Sequence, residues 1–304
     1  MNSKIPLILL CAATISASSF AETLTYNRSA TGSFYDGSYW DGKVPSETSD
    51  IVFDDTAKAT KYDLDATKGV IVNSIRDNSI IDKTLEGDAR WGNYIKINIG
   101  ESTFTILEDL TLASNHNYVP FSFAPGSDGV GEVVVKGNII SQLASDGSAG
   151  ESLFGEGKIL KSLTVGGNIE LEGSRLRFHA QNVNVNGVVN FKGDISNTQL
   201  NLAYGSMSGQ SVSISFGGLN GIGKEIKFGG VAASLVENTT ITLRFTNSGI
   251  SKFSGKFAYD EAGASTLQKN TYNLVMNGTS TGVQYYQDTG TTTFSFDNVT
   301  VKSG

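Results

Sequence analysis

The chain has few of the residues that cross-link a fold, bind metals or act as nucleophiles. Its 304 residues include one cysteine, Cys11, and two histidines. A disulfide framework is therefore excluded, and a zinc site or a Cys/His nucleophile system has almost no candidate residues. Only 17% of the residues are charged, and the formal net charge is −7. That sign disfavours nucleic acid and anionic membranes as partners. We expect no cofactor and no metal.

The first residues have the order of a secretory signal peptide. A positive start with Lys4 precedes an apolar run, and small residues follow up to Ala21. The apolar run is too short to span a bilayer, so we expect cleavage near Ala21 and no integral membrane segment in the mature chain. The sequence after Ala21 contains no cysteine, and the loss of Lys4 takes the formal net charge from −7 to −8. A secreted or cell-surface bacterial protein fits this composition, with the periplasm as an alternative.

Proline is also scarce, with 4 residues against 35 glycines. Together with abundant Ser, Thr, Asn, Val and Ile, this favours many short strands joined by tight corners. Similar units recur at residues 133–140, 163–171 and 183–191. Each alternates apolar and polar residues, turns at a polar residue and glycine, and alternates again. This pattern predicts a β-solenoid, in which stacked coils share one core.

Related segments begin at residues 104, 212 and 241, so the successive spacings are 29, 30, 20, 29 and 29 residues. Coils of 20 to 30 residues predict about 9 to 14 coils and a rod roughly 45 to 65 Å long. Segments rich in Ser, Gly, Asp and Ala are predicted to leave the rod as loops. These segments are residues 120–131, 141–157 and 255–269.

Three regions follow. Residues 1–21 are the signal peptide, residues 22–55 are an aromatic-rich N-terminal cap with a first strand, and residues 56–304 form the coils. A cap is expected because the first coil would otherwise leave its core and strand edge uncovered.

The cap segment also contains the order Tyr39-Trp40-x-Gly42-x-x-Pro45, followed by Asp50-Ile51-Val52-Phe53. Together with the repeats at 133–191, it resembles bacterial autotransporter-associated β-strand repeat proteins, which are passenger-like. The resemblance implies an extracellular β-helix, frequently adhesive, and its right-handed sense agrees with the usual hand of parallel crossovers. The sequence departs from that family after residue 250, where no room is left for a translocator domain.

Candidate binding residues come from one strand and from the aromatic residues. Arg175, Arg177 and His179 alternate with apolar residues, so all three are expected on the outer face. They could bind an acidic sugar or phosphate, but outward charges occur on any half-buried strand, and we favour a solvated face. Trp40 and Trp91, like Tyr118, Tyr285 and Tyr286, could stack on sugar rings if exposed. Aromatic residues of a cap more often cover the core, and we favour that interpretation.

Catalysis would need two carboxyl groups about 5 to 10 Å apart. Strand geometry places Asp63 and Asp65, or Glu170 and Glu172, about 6.5 to 7 Å apart on one face. No concentration of Arg, Lys and Asp from several coils accompanies them. We therefore expect a secreted structural or adhesin-like β-helix protein without catalytic activity, whose partners are surface glycans or other cell-surface proteins. The alternatives are a polysaccharide lyase or glycoside hydrolase, and a glycan-binding module.

Overall fold

A computed structural model describes residues 21–26, 31–54, 56–57, 62–81, 95–113, 121–143, 150–192, 198–203, 209–228, 238–259, 270–288 and 294–303. These residues form β-strands and one 3₁₀ turn (Gly37–Tyr39), and they contain no α-helix. In chain order the strands are β1 (Glu22–Thr25), β2 (Thr31–Ser33), β3 (Ser49–Phe53), β4 (Thr56–Ala57), β5 (Tyr62–Asp65), β6 (Val70–Val72), β7 (Ser74–Asp77), β8 (Ile80–Ile81), β9 (Ile95–Gly100), β10 (Thr103–Ile106), β11 (Leu110–Leu112), β12 (Phe121–Pro125), β13 (Val130–Val135), β14 (Ile139–Ser141), β15 (Glu151–Phe154), β16 (Leu160–Val165), β17 (Ile169–Glu172), β18 (Arg175–Phe178), β19 (Ala180–Lys192), β20 (Gln199–Leu202), β21 (Ser211–Phe228), β22 (Thr240–Phe245), β23 (Ile250–Tyr259), β24 (Thr271–Asn277), β25 (Val283–Asp288) and β26 (Asn298–Ser303).

Apart from β4 and β8, which pair with each other, the strands stack in parallel into three sheets around a common interior. Sheet I contains β6, β10, β13, β16, the first part of β19 and of β21, β22, β24 and β26. Sheet II contains β1, β3, β7, β11, β14, β17, the second part of β19, the middle of β21, the first part of β23, and β25. Sheet III contains β2, β5, β9, β12, β15, β18, β20 and the last parts of β21 and β23. The chain passes from sheet I to II to III and returns, which makes a β-solenoid whose described sheets contain nine strands (I), ten strands (II) and nine strands (III).

The core is a column of inward side chains from successive turns. Val135, Val165 and Val185 occupy the same register position in sheet I and are all buried, and Phe216 continues their column. Stacking buries the inward residues of successive strands against one another, because one strand's alternation supplies only half of a core. The predicted solenoid is therefore confirmed.

Asparagine and glycine residues form the corner between sheets I and II. The Oδ1 of Asp109 accepts from the backbone N–H of Asn138 at 2.7 Å, and the Oδ1 of Asn138 accepts from that of Asn168 at 2.8 Å. One turn further, the Oδ1 of Asn168 accepts from Val188 N–H at 3.0 Å. This ladder satisfies backbone donors that the bend removes from the sheets.

The predicted loops are wrong in part. The predicted loops 120–131 and 141–157 contain β12 and β15, and β23 extends to residue 259 within the third predicted loop. The nine or ten strands of each sheet lie at the lower end of the predicted 9 to 14 coils. Most turns take about 30 residues, as from Val133 to Leu163, and nine or ten strands give a stack of roughly 43 to 48 Å at the strand spacing.

Aromatic residues fill the first turn. Trp40 is fully buried, and its ring centroid lies 4.8 Å from that of Phe34 and 5.1 Å from that of Tyr26. Its Nε1–H donates to the carbonyl of Ser33 at 2.7 Å. The role of residues 22–55 as a cap and the right-handed sense of the coil stay predictions. The signal-peptide prediction concerns residues 1–21, of which 1–20 lie outside the described residues.

Candidate functional site

Arg175 and Arg177 lie on the outer face of sheet III, as the sequence predicted, and both contact a buried carboxylate. Glu151 on the neighbouring strand is almost fully buried, and its Oε2 lies 2.6 Å from an Nη of Arg177 and 3.8 Å from one of Arg175. Burial raises the pKa of Glu151, although the two guanidinium groups act in the opposite direction. Arg175 and Arg177 therefore form a charge cluster with Glu151 within the protein.

His179 does not continue the outer face, so that prediction is wrong. Its side chain is 6% exposed, and its Nδ1 lies 2.8 Å from the carbonyl oxygen of Gly155. The backbone N–H of His179 donates to Phe154 at 2.8 Å, and its carbonyl accepts from Leu160 N–H at 2.9 Å. The residue stands between β18 and β19, where the chain turns from sheet III to sheet I, and strand alternation no longer determines its direction.

Of the predicted aromatic ligands, Trp40 is buried in the first turn and has no face for a sugar. Trp91 and Tyr118 lie outside the described residues. Tyr285 and Tyr286 are 54% and 43% exposed.

The carboxylates form local pairs. Glu170 lies 2.8 Å from Lys192 and accepts from Asn190, and Asp63 lies 2.9 Å from Lys96. On sheet III, Glu225 lies 3.2 Å from Lys227 and 3.3 Å from Lys256. Sheet III therefore concentrates acidic and basic side chains on one lateral face, an arrangement that would favour a carbohydrate-active β-helix.

The two buried carboxylates of this face are not placed as a hydrolytic pair. Their strands are three steps apart in the register from Glu151 through Arg175 and Gln199 to Glu225. Three steps correspond to about 14 Å, against the 5 to 10 Å that hydrolysis needs. Among the described residues, no three His, Cys, Asp or Glu side chains group as a metal site would require.

A second surface lies along β25 and the strands beside it in sheet II, and we call it the tyrosine concavity. It encloses about 890 Å³ and is lined by Asn220, Gly221, Ile222, Ile250, Lys252, Phe253, Ser254, Tyr285, Tyr286 and Gln287. The register sets Lys252 beside Tyr285 and Ser254 beside Gln287. The Nζ of Lys252 lies 5.5 Å from the ring centroid of Tyr285, within range of a cation–π contact.

Glycine lets two turns approach closely beside the tyrosine concavity. Gly221 has φ +93°, which other residues rarely adopt, and a Cβ there would overlap the carbonyl oxygen of Phe191 on the turn below. The Oδ1 of Asn220 accepts from Lys252 N–H at 2.9 Å, which holds that amide beside the lysine. Sequence reasoning named Tyr285 and Tyr286 but missed Asn220, Lys252 and Gln287. Their proximity depends on strand register and has no local sequence signal.

Comparison with protein-family models, curated proteins and solved structures finds no match. Within the described part of the chain, no helix is long and apolar enough to cross a membrane.

Proposed function

We propose that the protein is a secreted or cell-surface β-solenoid without catalytic activity, which acts as a structural, adhesin-like module. The signal-peptide pattern and the resemblance at residues 39–53 support the proposed secreted or cell-surface location. The observation that carries the non-catalytic assignment is the pairing of the sheet III carboxylates. Glu151 and Glu225 form ion pairs with Arg177 and Lys256 of neighbouring strands, and the two carboxylates are too far apart to act as a paired acid and base.

The competing function is that of a polysaccharide lyase or glycoside hydrolase. A panel of polysaccharides incubated with the mature protein separates the two, provided that binding and bond cleavage are scored independently. We expect no release of reducing ends or unsaturated products from any member of the panel. Cleavage that is lost in the variant Glu151→Gln, with the fold intact by circular dichroism, would replace our proposal by the enzymatic one.

Export is tested separately. We expect the mass of the protein recovered from outside the cytoplasm to correspond to a chain that begins after Ala21. An intact mass that includes the segment from Met1 to Ala21 would contradict the proposed leader.

The tyrosine concavity supports glycan binding as a second candidate function. A sugar presents apolar C–H faces and a hydroxyl edge. Exposed Tyr285 offers an aromatic face, and Asn220, Lys252 and Gln287 offer hydrogen-bonding groups around it. This combination of an apolar wall and a few convergent polar groups is typical of small-molecule sites.

The variant Tyr285→Ala tests this candidate. An aromatic contact worth about 0.5 to 1.5 kcal/mol implies a loss of roughly twofold to tenfold in affinity for any glycan that the panel detects. Ile71→Ala is a suitable control because Ile71 is an exposed apolar residue on sheet I, away from the concavity. Equal affinities of the two variants would place glycan binding elsewhere.

A further inference from the structure

Two charge clusters on the outer face of sheet III contain more cations than carboxylates. Each has one buried carboxylate and two cations from its own or a neighbouring strand. Four cations against two carboxylates leave a formal charge of +2, whereas the whole chain carries −7. This part of the surface therefore attracts anions although the protein as a whole is acidic. The first cluster is Glu151, Arg175 and Arg177, and the second is Glu225, Lys227 and Lys256.

Asn201 lies between the two clusters. On β20, Leu200 and Leu202 are fully buried in the core, so Asn201 points to the outer face. The register places Asn201 beside Arg177 on one side and Lys227 on the other. The Cα atoms of these two cations are two strand spacings apart, about 10 Å.

The side-chain oxygen of Asn201 has no hydrogen-bond partner. Although it points outward, Asn201 is only 6% exposed, and its Oδ1 is a buried atom that accepts no hydrogen bond. The Nε–H of Arg175, on the same face, is likewise buried and donates none. Buried polar atoms in folded proteins almost always have a partner, so these two groups favour a ligand that supplies one.

The position of this site in the stack does not depend on either end of the chain. β18 lies between β15 and β20, and β20 lies between β18 and β21. The last part of β21 pairs with β23 in turn. Each strand that carries Arg177, Asn201 or Lys227 therefore has a neighbour on both sides.

The groups at the site select a ligand with two properties. Arginine and lysine side chains only donate, so they bind an anionic group. The Oδ1 of Asn201 only accepts, so the same ligand must also donate, as a hydroxyl does. An inorganic sulfate ion has no donor, and a neutral sugar has no charge. An acidic sugar carries an anionic group and hydroxyls on one ring.

We propose that the outer face of sheet III around Asn201 binds an acidic sugar, whose anionic group contacts Arg177 and Lys227 and whose hydroxyl donates to the Oδ1 of Asn201. The sequence suggested an acidic ligand for Arg175, Arg177 and His179, but His179 is buried at the turn, and Asn201 and Lys227 take its place. The site goes beyond the proposed surface function, and it lies on a different sheet from the tyrosine concavity.

Titration calorimetry on the mature protein with defined oligomers tests the ligand class. Oligomers of galacturonate, glucuronate and mannuronate are each compared with their methyl esters, which keep the hydroxyls and lose the charge. A sulfated neutral oligomer offers the other common anion, and polyglutamate offers carboxylates without sugar hydroxyls. We expect at least one acidic oligomer to bind, with an affinity that falls as salt is added. Polyglutamate and the neutral form of that oligomer should bind roughly tenfold more weakly or less.

The variant Asn201→Leu tests the amide, because leucine has nearly the same shape and lacks the unpaired acceptor. The variant should be at least as stable as the wild type, and its affinity for the acidic oligomer should fall roughly twofold to tenfold. A purely structural role of Asn201 would instead lower the melting temperature and leave the affinity unchanged, which would overturn the proposal.

The variant Lys227→Gln removes one cation and should lower the affinity roughly tenfold. Lys161→Gln is the matched control, because Lys161 on sheet I is also paired with a glutamate, Glu132, at 2.6 Å. It should leave the affinity unchanged. If circular dichroism shows that Lys227→Gln does not fold, Asn201→Leu still decides.

Equal losses in the two lysine variants, equal binding of polyglutamate, or no binding of any acidic oligomer would overturn the proposal. Cleavage of a bound oligomer would contradict the non-catalytic function and leave the binding site in place. A loss of neutral-glycan binding in Tyr285→Ala concerns the tyrosine concavity alone. The proposals therefore fail independently.

Discussion

Replacement of a corner glycine by alanine tests how tightly successive turns are stacked. Gly166 lies between sheets I and II, and its N–H donates to Val135 on the turn below at 2.8 Å. A Cβ at Gly166 would overlap the carbonyl oxygen of Lys136 and lie 2.9 Å from its carbonyl carbon. Backbone atoms cannot rotate away as a side chain can, so the two corners must separate. Overpacking of this kind costs about 1 to 3 kcal/mol.

Gly249→Ala is the matched control, because no heavy atom lies within 4 Å of a Cβ at Gly249. The control should leave the free energy of unfolding unchanged or raise it by up to about 1 kcal/mol. At roughly 2 °C for each kcal/mol in a chain of this size, Gly166→Ala should melt about 2 to 6 °C below the wild type.

Urea and thermal unfolding should be followed by far-ultraviolet circular dichroism, which reports all turns, and by the fluorescence of Trp40 and Trp91. Agreement of the two signals tests whether the turns unfold together, as a single free energy requires. Equal midpoints for Gly166→Ala and Gly249→Ala would refute the close approach of the corners.

Three further substitutions test other contacts. Asn168→Ala removes the acceptor of Val188 N–H, so the free energy of unfolding from urea titration should fall by about 1 to 3 kcal/mol; no change would mean that water replaces the side chain. The raised pKa of Glu151 means that its contribution to stability is present below its unfolded-state pKa and is lost as pH rises through the native pKa. Glu151→Gln should remove that loss, and unfolding at a series of pH values would contradict this if both proteins followed one curve. Leu163→Ala should cost about 2 to 5 kcal/mol by calorimetry, since Leu163 is fully buried, and a smaller loss would indicate a core that collapses around the cavity.

The sequence predicted the fold where strands have one solvated face. Val133, Leu163 and Val183 belong to alternating units that were aligned by their pattern alone, and the structure pairs these same three residues in neighbouring strands. β12 and β15 were missed because they lie in segments rich in Ser, Gly, Asp and Ala, and because both strands are buried on both faces. Without those strands, the sequence prediction of sheet III was incomplete.

The corner ladder could be predicted only in part. The glycines that follow polar residues marked the bends. The contact of Asn138 with Asn168, however, joins residues 30 positions apart and requires the register before it can be seen. The same limit applies to Glu151, which lay in a predicted loop although it determines the environment of Arg175 and Arg177.

The candidate surfaces depend on position in the stack, which no local pattern contains. Trp40 and Tyr286 both face the interior, but the first is fully buried whereas the second is 43% exposed in the penultimate strand of the described chain. Tyr286 lies beside Phe253, so it points inward, and its neighbour Tyr285 points outward. Tyr285→Ala should therefore weaken glycan binding more than Tyr286→Ala does. Tyr286→Ala should lower the free energy of unfolding more, because its ring stacks on that of Phe253 with 6.1 Å between the centroids. The opposite order in either assay would show that the outward and inward tyrosines are assigned to the wrong roles.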